Sequence, residues 1–322
     1  MNEPLLDIKN LKTYYFTAEG VVKAVDGVSL KMARAEALGV VGESGCGKST
    51  VAASIMRLVR PPGKIVGGEI CFGGENLLEK SEAYMRKTRG NKIAMIFQNP
   101  LTSMNPVYTV GSQIAEAIRL HQDVQKHEVM EKVVEMLDKV GIPDPARRAK
   151  DHPHEYSGGM CQRAMIAMAL SCNPKLLIAD EPTTNLDVTI QAQILDLMRA
   201  LRKELGTSTL LIGHDFGVIS ELCDRIAVMY AGKVVEYADL TAIFKEPKHP
   251  YTQTLLKSIP RLDIETKRLH IIPGDVPQLI NPPLGCRFQP RCEYAKEVCT
   301  KREPPRIEIG QGHEVACFLY SQ

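Results

Sequence analysis

Apolar residues along this chain fall into two kinds of pattern. The runs Ala37-Leu38-Gly39-Val40-Val41, Leu176-Leu177-Ile178-Ala179 and Leu210-Leu211-Ile212 are short and continuous and end in polar residues or a glycine turn. Lacking a helical repeat, each predicts a buried strand. Between the last two, Ile190, Ile194, Leu197, Met198, Leu201 and Leu205 recur at three- and four-residue spacing, with Asp196, Arg199 and Lys203 on the other faces, which predicts an amphipathic helix. Strand, helix and strand in that order imply parallel strands joined by a crossover, hence an α/β sheet covered on both faces. From Val107 to about Val140 the repeat is helical, and Met130, Val133, Val134, Leu137 and Val140 mark one face. A helical insert over about residues 100–160 therefore separates the first strand from the later ones. Beyond Tyr237 the pattern changes, because Pro247, Pro250, Pro260, Pro273, Pro277, Pro282 and Pro283 interrupt any long element. A boundary near residue 237 divides the chain into domains 1–237 and 238–322.

Composition narrows the class. Of 322 residues, 44% are hydrophobic and 24% charged, which excludes a mainly disordered chain. Forty Lys+Arg against 38 Asp+Glu leave a formal charge of +2, so no global basic field is available to hold nucleic acid or an anionic membrane. No stretch approaches the roughly 18 to 20 apolar residues of a membrane helix, and the start MNEPLLDIKN lacks the regions of a secretory signal, so the chain is expected in the cytoplasm. Its nine cysteines are unevenly spread, five in the first 285 residues and four in the last 37. In that compartment they are expected to stay reduced.

The chemistry-bearing segments sit at the ends of the predicted strands. Gly42-Glu43-Ser44-Gly45-Cys46-Gly47-Lys48-Ser49 matches the pattern G-x-x-x-x-G-K-[ST] and follows the strand Ala37 to Val41. Glycines there let successive N–H groups point at phosphate oxygens, a helix start adds partial positive charge, and Lys48 adds a full one. Ser49 is placed to hold Mg2+. Asp180-Glu181 closes the strand Leu176 to Ala179, the edge at which parallel sheets place ligands. In phosphoryl transfer one acid at such a place, here Asp180, holds Mg2+, and the second, Glu181, accepts a proton from the attacking water. Ser157-Gly158-Gly159-Met160, ahead of the run Ala164 to Leu170, offers a serine cap and exposed N–H groups, a second anion site.

In order and spacing these motifs resemble those of an ATP-binding cassette (ABC) transporter ATPase. Ser157-Gly158-Gly159-Met160 resembles the signature that otherwise reads LSGGQ, Gln98 in IFQNP the Q-loop, Asn185-Leu186-Asp187 the D-loop, and His214 in LLIGHD the switch histidine. The resemblance implies a P-loop NTPase core with an antiparallel β subdomain and the helical insert. It also implies a head-to-tail dimer holding two ATP molecules, each touched by one chain's phosphate loop and the other's Ser157, Gly158 and Gly159. His214 would then contact the γ-phosphate, Gln98 report on Mg2+ and water, Thr50 reach the α-phosphate, and Asp187 carry information across the dimer. The nucleotide loop comprises Gly42, Ser44, Gly45, Cys46, Gly47, Lys48 and Ser49. Among Tyr14, Tyr15 and Phe16 the following Glu19-Gly20 turn favours Tyr15 as the aromatic that stacks on adenine. Cys46 stands where relatives commonly carry Ser, and Asn185 where they carry Ala. Neither change removes a ligand.

The tail is also recognisable. Lys248-His249-Pro250-Tyr251-Thr252 and Pro290-Arg291-Cys292 resemble the small irregular C-terminal extension of oligopeptide and dipeptide importer ATPases, as do the phrases IFQNPLTSMNP and ADEPTTNLDVTIQAQI. Cys286, Cys292, Cys299 and Cys317, spaced C-x5-C-x6-C-x17-C, could bind zinc or an iron–sulfur cluster. The resemblance favours a four-iron four-sulfur cluster over zinc. It further implies two membrane-spanning permease subunits, a second ATPase subunit, homologous or identical, an indirect extracytoplasmic substrate-binding partner, no nucleic acid, and a peripheral place on the cytoplasmic face of the membrane. The expected activity is ATP hydrolysis powering import of dipeptides or oligopeptides. Nickel or another small solute is the alternative cargo. A soluble ABC ATPase acting on nucleic acid or ribosomes is disfavoured, since only 107 residues separate Ser49 from Ser157, too few for long coiled coils, and the chain has one cassette.

Overall fold

The structure is a computed structural model and describes residues 3–184, 186–258, 272, 274–310 and 312–321. The chain forms two compact units, one of Met1–Ala33, Ala37–Glu79 and Ile212–Gln322, the other of Arg34–Glu36 and Lys80–Leu211.

In the first unit one sheet is antiparallel, in the order Gly20–Met32, Leu6–Thr17, Gly63–Phe72, Glu75–Asn76. Strict alternation along Leu6–Thr17 would turn Leu11 and Thr13 away from Leu6 and Ile8. The register shifts between Ile8 and Leu11, where Asn10 takes a left-handed φ of 48°, and all four side chains are buried. In a second group, Ala37–Val41 pairs in parallel with Arg225–Tyr230, which pairs antiparallel with Lys233–Asp239. Every residue of Ala37–Val41 is buried, as a parallel strand covered on both faces requires. The helix Phe216–Leu222 lies directly on it, since a Cβ on Gly39 would come within 2.6 Å of Ile219. Lys233–Asp239, the strand in which the composition changes, is paired by His313–Val315 from the far end of the tail, and that by Ile307–Gly310. The tail's helices are short, Leu240–Lys245, Pro250–Lys257 and Glu297–Lys301.

In the second unit Ile93–Ile96 pairs in parallel with Leu176–Asp180. The helical segment contains Val110–His121 and Glu128–Lys139, followed by Gly158–Leu170. The buried stripe of Glu128–Lys139 is Val129, Val133, Met136 and Leu137, continued by Val140, whereas Met130 is 40% exposed. The stripe is thus rotated from the expected one: Val129 takes the inward place assigned to Met130. The amphipathic helix runs Val188–Leu205, capped by Asp187 and ended by Gly206 in the left-handed conformation. The third predicted strand runs Ser208–Gly213. Among the described residues no helix is long and apolar enough to cross a membrane.

Candidate functional site

The phosphate loop lies in the first unit, between the strand Ala37–Val41 and the helix Lys48–Ile55. Two glycines are required by close backbone approach: a Cβ on Gly42 would stand 2.1 Å from the Met229 carbonyl oxygen, and one on Gly47 2.1 Å from that of Ala24. Gly47 also has a φ of 104°, which turns the chain into the helix. Lys48 is buried and curls back on the loop, its Nζ donating to the carbonyls of Gly42 at 2.8 Å and Glu43 at 3.1 Å. Ser44, Gly45 and Ser49 are exposed and Thr50 is half-buried, while Cys46 is buried and burial pushes its thiol pKa up. Tyr15 is half-buried on Leu6–Thr17. Its neighbour Tyr14 donates to Asp26 at 2.6 Å, and burial together with that bond raises its pKa to about 12. Phe16 is 45% exposed, with Lys64 Nζ 5.9 Å from its ring centroid. His214, exposed, follows Ser208–Gly213 and precedes Asp215, the cap of Phe216–Leu222.

The acid pair lies in the second unit. Asp180 is the last, buried residue of Leu176–Asp180. Glu181 follows with a left-handed φ of 48°, a conformation that a residue with a side chain adopts only when its surroundings hold it. Gln98 Nε2 donates to Glu181 Oε2 at 3.0 Å, and Thr184 Oγ1 donates to the same oxygen at 3.1 Å. Gln98 and Glu181, 83 residues apart, are thus brought together. Ser157 caps Gly158–Leu170, its Oγ accepting the Met160 N–H at 3.3 Å. Ser157 and Gly158 are exposed and Gly159 half-buried, and a Cβ on Gly159 would meet Ile190 at 2.9 Å. Asp187 caps Val188–Leu205, its Oδ1 accepting the Ile190 N–H at 3.0 Å. Asn185 lies outside the described residues.

The expectation of an iron–sulfur cluster, or zinc, at Cys286, Cys292, Cys299 and Cys317 is corrected. The four do line one cavity of about 20 Å3, shared with His249 and Phe288. Yet among the described residues no group of three or more His, Cys, Asp or Glu side chains is arranged to hold a metal ion. A cluster needs four thiolates around a space for its core. The cavity has room for about one water molecule. Burial lifts the Cys286 thiol to about 11 and raises those of Cys292 and Cys317. Cys299 Sγ instead accepts the Lys296 N–H at 3.4 Å, at the start of Glu297–Lys301. The tail is cemented by rings: Tyr230 lies 4.6 Å from Tyr251 and 5.2 Å from Phe288, centroid to centroid.

Sequence reasoning assigned no role to two residues that touch the phosphate loop. Tyr251 accepts, on its hydroxyl, the N–H of Glu43 at 3.0 Å, and Arg291 Nη1 donates to both Glu43 carboxylate oxygens at 3.1 and 3.0 Å. Both stand in the segments that carry the resemblance of the tail, which is the signal that could have found them.

Comparison with known proteins agrees with this geometry. Residues 25–184 match the family described as ABC transporter, and residues 235–299 the one described as oligopeptide/dipeptide transporter, C-terminal region. A probable peptide ABC transporter ATP-binding protein of Sinorhizobium fredii is 54% identical over 316 residues, covering 98% of this chain and 94% of its own. The oligopeptide transport ATP-binding protein AppD of Bacillus subtilis is 50% identical over 319 residues, 99% of this chain and 97% of its own. Among solved structures, an ATP-binding cassette seen as a dimer in a post-hydrolysis state with ADP and Pi superposes with a TM-score of 0.66 at 27% identity, covering 73% of this chain and 98% of its own. The cbiO1 protein of Clostridium perfringens, part of the ABC transporter complex cbiONQ, gives 0.64 at 25% identity, covering 76% and 92%.

Proposed function

The chain belongs to the ABC transporter ATP-binding family, in its oligopeptide/dipeptide branch, and from that premise we propose the following division of chemistry among its residues. It is an ATPase that powers peptide import. The observation that carries the reading is the phosphate loop between a buried parallel strand and the helix headed by Lys48. Loop N–H groups and Lys48 take the β- and γ-phosphates, Thr50 reaches the α-phosphate, and Tyr15 stacks on adenine. Ser49 and Asp180 would hold Mg2+, which would neutralise charge on the phosphates, and Gln98 would report on the metal and water. Water oxygen attacks the γ-phosphorus as the bond to the β,γ-bridging oxygen breaks. Its proton passes to Glu181, and ADP leaves with the bond pair. Two donors on Glu181 Oε2 support its role by fixing the plane of the carboxylate. His214 contacts the γ-phosphate. Ser157, Gly158 and Gly159 serve the nucleotide of a second ATPase subunit, and Asp187 senses that subunit.

The partners we propose are two permease subunits at the cytoplasmic face of the membrane, and indirectly a substrate-binding protein outside it. Glu181→Gln is expected to bind Mg-ATP as the parent chain does and to lose turnover, measured by nucleotide titration and phosphate release. Normal phosphate release by this variant would remove Glu181 as the base.

A further inference from the structure

We propose that Arg291, on the C-terminal extension, is a positioning residue for nucleotide binding: it neutralises Glu43 within the phosphate loop and so sets the loop's affinity for the phosphate chain of ATP. The role rests on the reading of that loop as the ATP site. A carboxylate is out of place there, because the loop gathers N–H dipoles and one lysine for a ligand of about four negative charges. Glu43 follows directly on Gly42, within the loop itself. Its side chain is 25% exposed and that of Arg291 only 5%, so the pair is largely out of water and its charges are poorly screened.

Each polar group of Glu43 has a partner. Its carboxylate takes Arg291 Nη1 on both oxygens, at 3.1 and 3.0 Å. Its N–H goes to the Tyr251 hydroxyl at 3.0 Å and not toward a ligand. Its carbonyl accepts from Lys48 Nζ at 3.1 Å and from the Cys46 N–H at 3.3 Å. Arg291 is itself held, with Nη1 donating to the Tyr230 hydroxyl at 3.3 Å and Nη2 to the Ile272 carbonyl at 3.4 Å. Tyr230, Tyr251 and Phe288 pack ring against ring, with centroids 4.6 to 5.4 Å apart, so the platform carrying these contacts is rigid. The extension therefore grips the loop at one residue by two of its own, Tyr251 and Arg291. Removing the guanidinium leaves a poorly solvated carboxylate that opposes the phosphates and competes for Lys48.

The test is Mg-ATP affinity of the full chain by calorimetric titration, with thermal melting alongside. Arg291→Gln is expected to weaken binding on the order of tenfold. Glu43→Gln alone should bind at least as tightly as the parent, because it leaves the Arg291 charge unpaired beside the phosphates, and the double variant should return to the parent level, because neither charge remains. Arg291→Lys, which keeps the charge, should stay within about threefold even if Arg291→Gln does not fold. Unchanged affinity in Arg291→Gln, a double variant as weak as the single one, or a tenfold loss in Arg291→Lys would each overturn the role. Failure of the parent chain to bind Mg-ATP would instead sink the reading of the loop, and this role with it.

Discussion

At the scale of single residues, what a side chain does here depends on what stands across from it. Lys48 and Glu181 are recognisable from short motifs, because phosphate and Mg2+ demand particular groups at particular offsets, and Gln98 only from the resemblance of IFQNP to the Q-loop. The Gln98 to Glu181 hydrogen bond is not, since 83 residues separate them. Gln98→Ala is expected to lower kcat about tenfold or more while Mg-ATP affinity changes less, as steady-state turnover beside nucleotide titration would reveal. A second residue-scale effect concerns acid. His249 is wholly buried, and burial lowers its pKa from 6.5 to about 4, with Glu236 pulling it back up. Its Nδ1 accepts the Tyr251 N–H at 3.0 Å, a bond that fits the neutral ring. The unfolded chain therefore binds a proton on this ring at a higher pH than the folded one. The stability it contributes is full above about pH 6.5 and is lost as pH falls toward 4, up to about 3 kcal/mol. Glu236 acts in the same direction at lower pH. Burial alone would raise its pKa, but bonds from His313 and from the N–H groups of Lys248 and His249 hold it below 4.5. Thermal melts should show a lower Tm at pH 5 than at pH 7.5, and His249→Asn, which keeps an acceptor near the Nδ1 position, should flatten the difference.

At the scale of elements, periodicity was a good guide wherever a segment buries one face along its length. Ala37–Val41, Leu176–Asp180, Ser208–Gly213 and Val188–Leu205 all form as their apolar patterns require. It was a poorer guide at Glu128–Lys139, where six apolar residues among twelve allow more than one stripe and packing selects among them. It was no guide to His313–Val315, because three residues cannot display a period and their partner strand begins 80 residues earlier. Caps and glycines are where single substitutions reach a whole element. Ser157→Ala removes the side-chain bond to the Met160 N–H and should cost about 1 kcal/mol in denaturant unfolding. Gly47→Ala must place a methyl 2.1 Å from the Ala24 carbonyl oxygen at a φ of 104°, so it should abolish Mg-ATP binding in a titration where Ser157→Ala retains it.

At the scale of the whole molecule, an ATPase of this family hydrolyses ATP in company. Glu181→Gln, which should trap nucleotide, is expected to elute as a dimer in Mg-ATP and as a monomer without it, and the dimer should be absent when Lys48→Ala is added. Size-exclusion chromatography with light scattering would show either outcome. The near-neutral charge of +2 is in keeping with a ligand held by local N–H groups rather than by a broad field. What the sequence determined by itself was whatever is local or periodic: the strands, the amphipathic helix, the phosphate loop, the acid pair and the signature, since each is enforced by spacing within a few residues. The tertiary structure alone decided what depends on distant segments meeting. It joined Gln98 to Glu181 and Arg291 to Glu43, set His313–Val315 against Lys233–Asp239, and packed four clustered cysteines around one small cavity rather than as metal ligands. Spacing along a chain brings cysteines near one another, but ligation needs their sulfurs to converge on one point around a space of the right size. Only the packing of the rings and strands about them determines that.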